Sequence, residues 1–229
     1  MNAKSLGDLI LNVLAIGAHP DDIEIGCGGF LLKSTAIGHE VHILIITYGE
    51  ASGDPHQREI EAKKAVEFIG AKDLHFGNKR DTALVPDGSL ISVIEEIVEK
   101  VKPHLILTHS TSDEHHDHRA VGFATIEAAR YYPNILAYEN PLTKEFRPEV
   151  FVDISDTIER KVKLLSVYKT QENKAYLKRN AIYGLASYRA FQSRLKGIKF
   201  AEAFQVIKFK LLDKPFLCQL QNYKTHKCD

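Results

Sequence analysis

Residues 12–47 read NVLAIGAHPDDIEIGCGGFLLKSTAIGHEVHILIIT, and their order decides the fold class. Asn12–Gly17 is a short apolar run halted by glycine, the pattern of a buried strand, and Val41–Thr47 (VHILIIT) is a second, β-branched one. Between them Gly28–Ile37 reads as a helix. Strand, helix, strand in immediate succession is a βαβ unit, whose two strands run parallel. The alternation then continues. Arg58–Ile69 carries apolar residues at helical spacing, with Gly70 as its C-cap, and Leu74–Phe76 is a weak strand. Ser89–Val101 is an amphipathic helix with Ile91, Ile94, Ile97, Val98 and Val101 on one side, closed by Pro103. His104–Thr108 is a strand, His118–Tyr131 a helix, and Ile135–Tyr138 a fifth strand. The expectation is an α/β fold with a largely parallel, doubly wound sheet and helices on both faces.

Beyond about residue 150 the alternation ends. Ser155–Tyr168 reads as a helix with Ser155 as N-cap, Ala175–Leu195 as further helix, and Ala203–Phe209 as a late strand. No linker or repeat interrupts the chain, so residues 1–229 are expected to form a single α/β domain, with these last elements on the same core. Composition excludes several classes. Lys+Arg and Asp+Glu balance at 30 each, which removes any general attraction to nucleic acid. No apolar run reaches the roughly 18 residues of a membrane span, and the N-terminus lacks a secretory cleavage pattern. Cys27, Cys218 and Cys228 are odd in number and scattered, so the expected compartment is the reducing cytoplasm.

Function is concentrated in the segments after the strands. Ligands of open α/β sheets bind beyond the carboxyl ends of the strands. There the chain places AHPDD, YGEASGD, GNKRD and HSTSDEHHDH, while the opposite loops, Ala36–Glu40 and Glu99–Pro103, are bland. His19 and Asp22 are good ligands for Zn²⁺ or Fe²⁺, and the cluster Asp113–His118 offers a third. Two histidines and one carboxylate leave coordination positions open for water and substrate, which is the catalytic rather than the structural arrangement. Asp21, beside a ligand, suits a general base. In HHDH, His115 can serve as oxyanion donor and Asp117 as the carboxylate that holds it, while His118 binds metal. The competing reading keeps Asp21–Asp22 as an ordinary helix N-cap region and the histidines as surface residues.

At this level the residues resemble a known family. Ala18-His19-Pro20-Asp21-Asp22-Ile23-Glu24, followed by Gly26-Cys27-Gly28-Gly29, resembles the AHPDDxE signature of the PIG-L/LmbE-type N-acetylglucosamine deacetylases. His115–Gly122 (HHDHRAVG) is similar to that family's HPDHRAVG, with His116 in place of the proline. Arg58-Glu59-Ile60-Glu61-Ala62, Ile69-Gly70, Asp81 and Ala201–Phe204 (AEAF) fall where the family has its remaining patterns. The resemblance implies a Rossmann-like fold and zinc-dependent hydrolysis of an N-acetyl group from an amino sugar, with ferrous iron as the alternative ion in the cell. It implies His19, Asp22 and His118 as metal ligands, and Asp21 as general base. His115 would stabilise the oxyanion, oriented by Asp117, and Arg58 and Asp81 would lie around the substrate. It further implies homo-oligomers of unspecified size. The group joined to N-acetylglucosamine (inositol, malate, lipid or another sugar in the family) is not fixed by these motifs.

Other candidates are read as non-functional. His39 and His42 belong to the second strand and its approach, and His109 to the support of the cluster. Gly26–Gly29 lacks the Lys-Ser/Thr of a P-loop and instead lets a helix pack closely. The tyrosines from Tyr168 to Tyr188 belong to core or interface. Two rival functions remain at this stage. One is a non-haem Fe(II) oxygenase using the same donors. The other is a non-catalytic sugar- or nucleotide-binding module.

Overall fold

The computed structural model describes residues 10–141 and 143–210. The N-terminal residues 1–9, Cys218 and Cys228 lie outside them. Seven strands form one sheet: β1 (Asn12–Gly17), β2 (Glu40–Thr47), β3 (Asp73–Lys79), β4 (Leu105–His109), β5 (Ile135–Tyr138), β6 (Val150–Asp153) and β7 (Ala201–Lys208). Their order is β3-β2-β1-β4-β5-β7-β6. The pairs among β1–β5 are all parallel, while β7 runs antiparallel to both β5 and β6. The expected doubly wound α/β architecture is present, with an antiparallel extension on one edge.

Alternation along the strands divides the core. Val13 and Ala15 of β1 face one way, with Val41, Ile43 and Ile45 of β2. Leu14 and Ile16 face the other, with Leu44 and Ile46. The first face is covered by α1 (Asp22–Ala36), α2 (Pro55–Ile69) and α5 (Ile158–Leu165), through Ile23, Leu31, Leu32, Ala65, Ile69 and Leu164. The second is covered by α3 (Gly88–Val101) and α4 (His116–Ala128), through Leu90, Ile94, Val98, Val121 and Ala124. A smaller cluster of Ile154, Ile158, Leu165, Ile182 and Ala186 seats α6 (Arg179–Ser193) against the antiparallel edge.

Four local expectations need adjustment. α1 breaks at Cys27 (φ −142°, ψ 18°), so the helix expected from Gly28 is present and is preceded by a short helical piece that starts at Asp22. Its glycines, poor helix formers by propensity, are there for close approach: a Cβ on Gly26 would lie 2.2 Å from Tyr138 Cδ2, and one on Gly29 2.9 Å from Ile154 Cγ2. Ser155 does not cap α5, since Thr157 occupies the N-cap position. The Ser155 hydroxyl instead donates to Asp153 Oδ1 (2.6 Å) and accepts from the backbone of Lys199 and Phe200, pinning β6 to the start of β7. The segment expected as one helix over 175–195 is a 3₁₀ turn (Ala175–Leu177), an extended Lys178 (ψ 143°), and then α6. β6, only four residues long, has too little alternation to be seen in sequence.

The close approach of α1 to β5 yields a stability prediction. Tyr138 is fully buried and its hydroxyl donates to Ile16 O (2.8 Å), so the ring cannot retreat from an added methyl. Gly26→Ala is expected to lower unfolding free energy by about 1–3 kcal/mol, the usual cost of overpacking. Urea denaturation measures it, and unchanged stability would show that the helix has room to move.

Candidate metal centre

In the order β3-β2-β1-β4-β5 the chain reverses direction of progress between β1 and β4, the place where α/β sheets open a crevice. The first histidine motif leaves β1 and the second follows β4, so the topology brings them together. The turn after β1 is pinned from both sides. Thr47 N and Oγ1 both donate to Ala18 O at 2.9 Å, and Ala18 N donates to His109 Nε2 at 2.9 Å. Asp21 then adopts φ 100°, a left-handed conformation unusual for a non-glycine residue and of the kind found at functional sites. Asp21 stands at the N-cap of α1, yet its side chain caps no helix N–H. That removes the reading of this carboxylate as an ordinary cap.

The donors converge on Asp22. His19 Nδ1 lies 3.2 Å from Asp22 Oδ2, and His118 Nε2 lies 3.2 Å from Asp22 Oδ1. Ligand atoms of His19, Asp22 and His118 all lie within 4.8 Å of one another, and all three residues are buried. The opposite nitrogen of each imidazole faces a carboxylate: His19 Nε2 is 2.9 Å from Asp81 Oδ1, and His118 Nδ1 is 3.2 Å from Asp113 Oδ1. Carboxylates in this position fix the tautomer and aim of a metal-ligating histidine. Two imidazole nitrogens and one carboxylate oxygen fit a divalent ion such as Zn²⁺ or Fe²⁺. A second grouping, His19, His115 and Asp117, is also close enough. Its carboxylate, however, already accepts from Thr82 N (2.8 Å) and Leu84 N (2.9 Å).

The electrostatics ask for positive charge. Burial alone would raise Asp22, but the charges of His118, His109 and His19 hold it well below the usual carboxylate range. Burial depresses His118, and Asp22 together with Asp113 outweighs that, pushing it up to about 9. Asp21 is the odd member: burial and the neighbouring Asp22 charge push it up to about 8, with Arg58 opposing. A cation among these residues replaces the protons on the histidines and draws Asp21 back down.

The remaining candidates fall as follows. His115 Nδ1 accepts from Asp117 N (3.3 Å), which assigns the proton of the neutral ring to Nε2, and burial with the charges of His118 and His19 lowers its pKa. The Asp117 carboxylate was expected to hold His115. Instead its bonds run to Thr82 N, to Leu84 N and to His19 Nε2 at 3.2 Å, while its backbone N–H serves His115. Arg58 and Asp81, expected around the substrate, both line the cavity and both also brace the first motif. Arg58 Nη2 donates to Pro20 O (2.7 Å) and lies 3.6 Å from Asp21 Oδ1, and Asp81 contacts His19 as above. His116, the departure from HPDH, is the first residue of α4, where proline is favoured because the N–H there has no helical partner. Its exposed ring lies 3.0 Å from Thr82 O and tightens the loop rather than freeing it.

Sequence reading placed His109 in support, and the structure stacks it on His118 at 4.0 Å. It gave no separate role to Asp113 or Asn140. Asp113 is fixed by Thr143 Oγ1 (2.7 Å) and His115 N (2.8 Å), and Asn140 Nδ2 donates to Asp22 Oδ1 (3.4 Å). Asp113 sat in the acidic–histidine cluster. The signal for Asn140 was its place after β5, at the same edge of the sheet. The centre opens into a cavity of about 220 Å³, whose further walls include Ser52, Gln171, Lys174 and Tyr176. Among the described residues no helix is long and apolar enough to cross a membrane.

Fold and donor set together define an α/β protein built around a histidine–aspartate group that fits a divalent metal, at the switch point of its sheet. The chain belongs to the PIG-L family: the profile described as GlcNAc-PI de-N-acetylase matches residues 14–129. A protein of Escherichia coli named uncharacterized deacetylase YaiS is 35% identical over 152 residues, covering 63% of this chain and 82% of that one. The diacetylchitobiose deacetylase of Thermococcus kodakarensis is 27% identical over 224 residues, covering 86% and 84%. Among solved structures, the 4-carboxy-2-hydroxymuconate hydratase of Pseudomonas putida superposes with a TM-score of 0.76 at 20% identity, over 89% of this chain and 99% of that one. The last match concerns the fold alone.

Asp113 provides a test of the centre that does not involve turnover. Asp113→Asn keeps the size of the side chain and removes the charge facing His118 Nδ1. Divalent-metal affinity, read by competition with a chromogenic chelator, is expected to fall about 10–100-fold, as for loss of comparable supporting groups. Undiminished affinity would exclude His118 as a ligand held in this way.

Proposed function

We propose that this protein is a zinc-dependent hydrolase that removes the acetyl group from an N-acetylglucosamine-containing compound. The observation that carries the reading is the convergence, on one cavity, of three metal donors, a carboxylate that caps nothing, and a neutral imidazole with its Nε2 proton free. Family membership and the deacetylases among the relatives point the same way, while the shared fold of a hydratase means that fold alone does not choose.

His19, Asp22 and His118 hold the ion. Once held, it supplies Lewis-acid polarisation and lets water ionise near neutral pH. Asp21 takes the proton of the attacking water on its carboxylate and delivers it to the departing amine nitrogen. Its strained backbone and the adjacent Arg58 keep that carboxylate in place. His115 donates its Nε2 proton in a hydrogen bond to the carbonyl oxygen as negative charge gathers there, and Asp117 holds the ring through its backbone N–H. Asp81 keeps the first ligand aimed, and Arg58 lines the cavity where the substrate lies. An α/β unit with this polar cavity suits a water-soluble amino sugar.

Acetate release from a panel of N-acetylglucosaminyl compounds tests the assignment. Chelator is expected to abolish it and added Zn²⁺ to restore it. Asp21→Asn should bind metal normally and lose about 10²–10⁴-fold in kcat, the range for general acid–base catalysis. His115→Ala should lose on the order of 10²-fold, as for an oxyanion donor, again with metal retained. Near-wild-type kcat in Asp21→Asn would remove Asp21 as the base.

A further inference from the structure

A second cavity, of about 240 Å³, lies next to the metal cavity. The two share Ile25, Pro141 and Tyr176 as walls, and among the described residues these are the bulky apolar ones that line the metal cavity. The shared wall is at the reacting end. Ile25 stands on α1 one turn from Asp21, to whose carbonyl its N–H donates (2.9 Å), and Pro141 adjoins Asn140, which donates to Asp22. The polar wall of the metal cavity is formed instead by Ser52, Arg58, Asp81, Gln171 and Lys174.

Beyond the shared wall the second cavity is bounded chiefly by apolar residues of α5 and α6, including Leu165, Ala181, Ile182 and Leu185. Four charged side chains also border it, and they satisfy one another. Lys161 Nζ pairs with Glu202 Oε1 at 2.6 Å, and Arg189 Nε donates to Glu139 Oε2 at 2.7 Å. Glu202 further accepts from Gly29 N and Phe30 N, both at 2.7 Å. Charges paired in this way ask for no counter-charge on a ligand, so the space suits an uncharged apolar group. An apolar cavity of about 150 Å³ is known to hold a benzene ring, so this one has room for a chain of several carbons.

We propose that this cavity receives the acyl chain of the substrate, and that the protein hydrolyses N-acyl amino sugars with acyl groups longer than acetyl. The proposal rests on the deacetylase reading above. A sugar held by its hydroxyls on the polar wall has one apolar part at the reacting end, the acyl group on its nitrogen. In the metal cavity that group meets Ile25, Pro141 and Tyr176, and continuation of the chain leads into the second cavity. The chemistry is unchanged: the oxygen of water joins the carbonyl carbon, the C–N bond breaks, and a proton passes to nitrogen. A fatty carboxylate and the free amino sugar are released.

The experiment measures amine release by the metal-loaded chain from methyl glycosides of N-acetyl-, N-butanoyl- and N-hexanoyl-glucosamine, and from the hexyl glycoside of N-acetylglucosamine. The hexanoyl amide is expected to show a KM about tenfold or more below that of the acetyl amide, since each methylene in an apolar pocket has a large effect. Leu185→Trp and Ala181→Phe, at half-buried positions on the far wall, should each lower the hexanoyl-to-acetyl ratio of kcat/KM about tenfold. Two variants guard against one that misfolds. Turnover of the acetyl amide with none of the longer ones overturns this proposal and leaves the deacetylase reading standing. So does a ratio unmoved by both variants, or a response confined to the hexyl glycoside, which would make the cavity an aglycone site. No amine from any compound overturns the deacetylase reading and this proposal together.

Discussion

Asp22 is a carboxylate 5% exposed at the centre of an α/β core, and the rest of the site is arranged around that fact. A buried carboxylate must be paired or ligate a metal. The fold answers with the backbone N–H of His19 (2.7 Å), the rings of His19 and His118, and the amide of Asn140. These partners come from the turns after β1 and β5 and from the first turn of α4. Only a sheet that places β1 between β2 and β4, with β5 next, brings those ends to one point. The positive ends of α1 and α4 also begin at this place, at Asp22 and His116, and favour negative charge there.

The surrounding charges are apportioned so that one acid differs from its neighbours. Asp22, Asp81, Asp113 and Asp117 are all held below the usual carboxylate range by imidazoles or N–H groups. Among these aspartates Asp21 is the one pushed up, because burial and Asp22 act on it and Arg58 and His19 oppose; the buried Glu24 beside it is also raised, to about 7. Pairs of titratable groups driven apart by their environments mark acid–base assignments. Asp21 and Asp22, adjacent in sequence, are such a pair, and the strained φ of Asp21 is what turns the two side chains to different tasks.

Much of this was legible in the chain. The five parallel strands followed from β-branched runs separated by helical spacing, and the clusters after them located the crevice. The grouping of His19, Asp22 and His118 was legible because these residue types fall in the segments that follow β1 and β4. What stayed hidden has particular causes. The short helical piece from Asp22 was missed because the backbone breaks at Cys27 and Gly26–Gly29 score as poor helix formers, whereas Gly26 and Gly29 let the chain approach Tyr138 and Ile154. β6 pairs only with β7, some fifty residues later (Phe151 with Ala203), so no local pattern announces it. Asp117 was assigned to His115 by proximity in sequence. In the fold its carboxylate turns to Thr82 and Leu84, because the loop after β3 lies closer than its own chain neighbour.

The loop after β3 shows why site and fold must be argued separately. The fold is shared with a hydratase, and one fold can carry more than one reaction. The site in this chain also depends on a set of ties that do not follow from topology. Glu50 accepts from Asp81 N (2.8 Å), Asp81 accepts from Ala51 N (2.9 Å), and Asp117 accepts from two amides of the same loop. These bonds lock the turns after β2 and β3 to the start of α4, so that His19 and His115 meet edge to face at 4.9 Å. A ligand histidine and a neutral donor histidine at that separation can address one carbonyl group together. In the reading proposed above, that pairing sets a hydrogen-bond donor beside the place where charge gathers on a carbonyl oxygen.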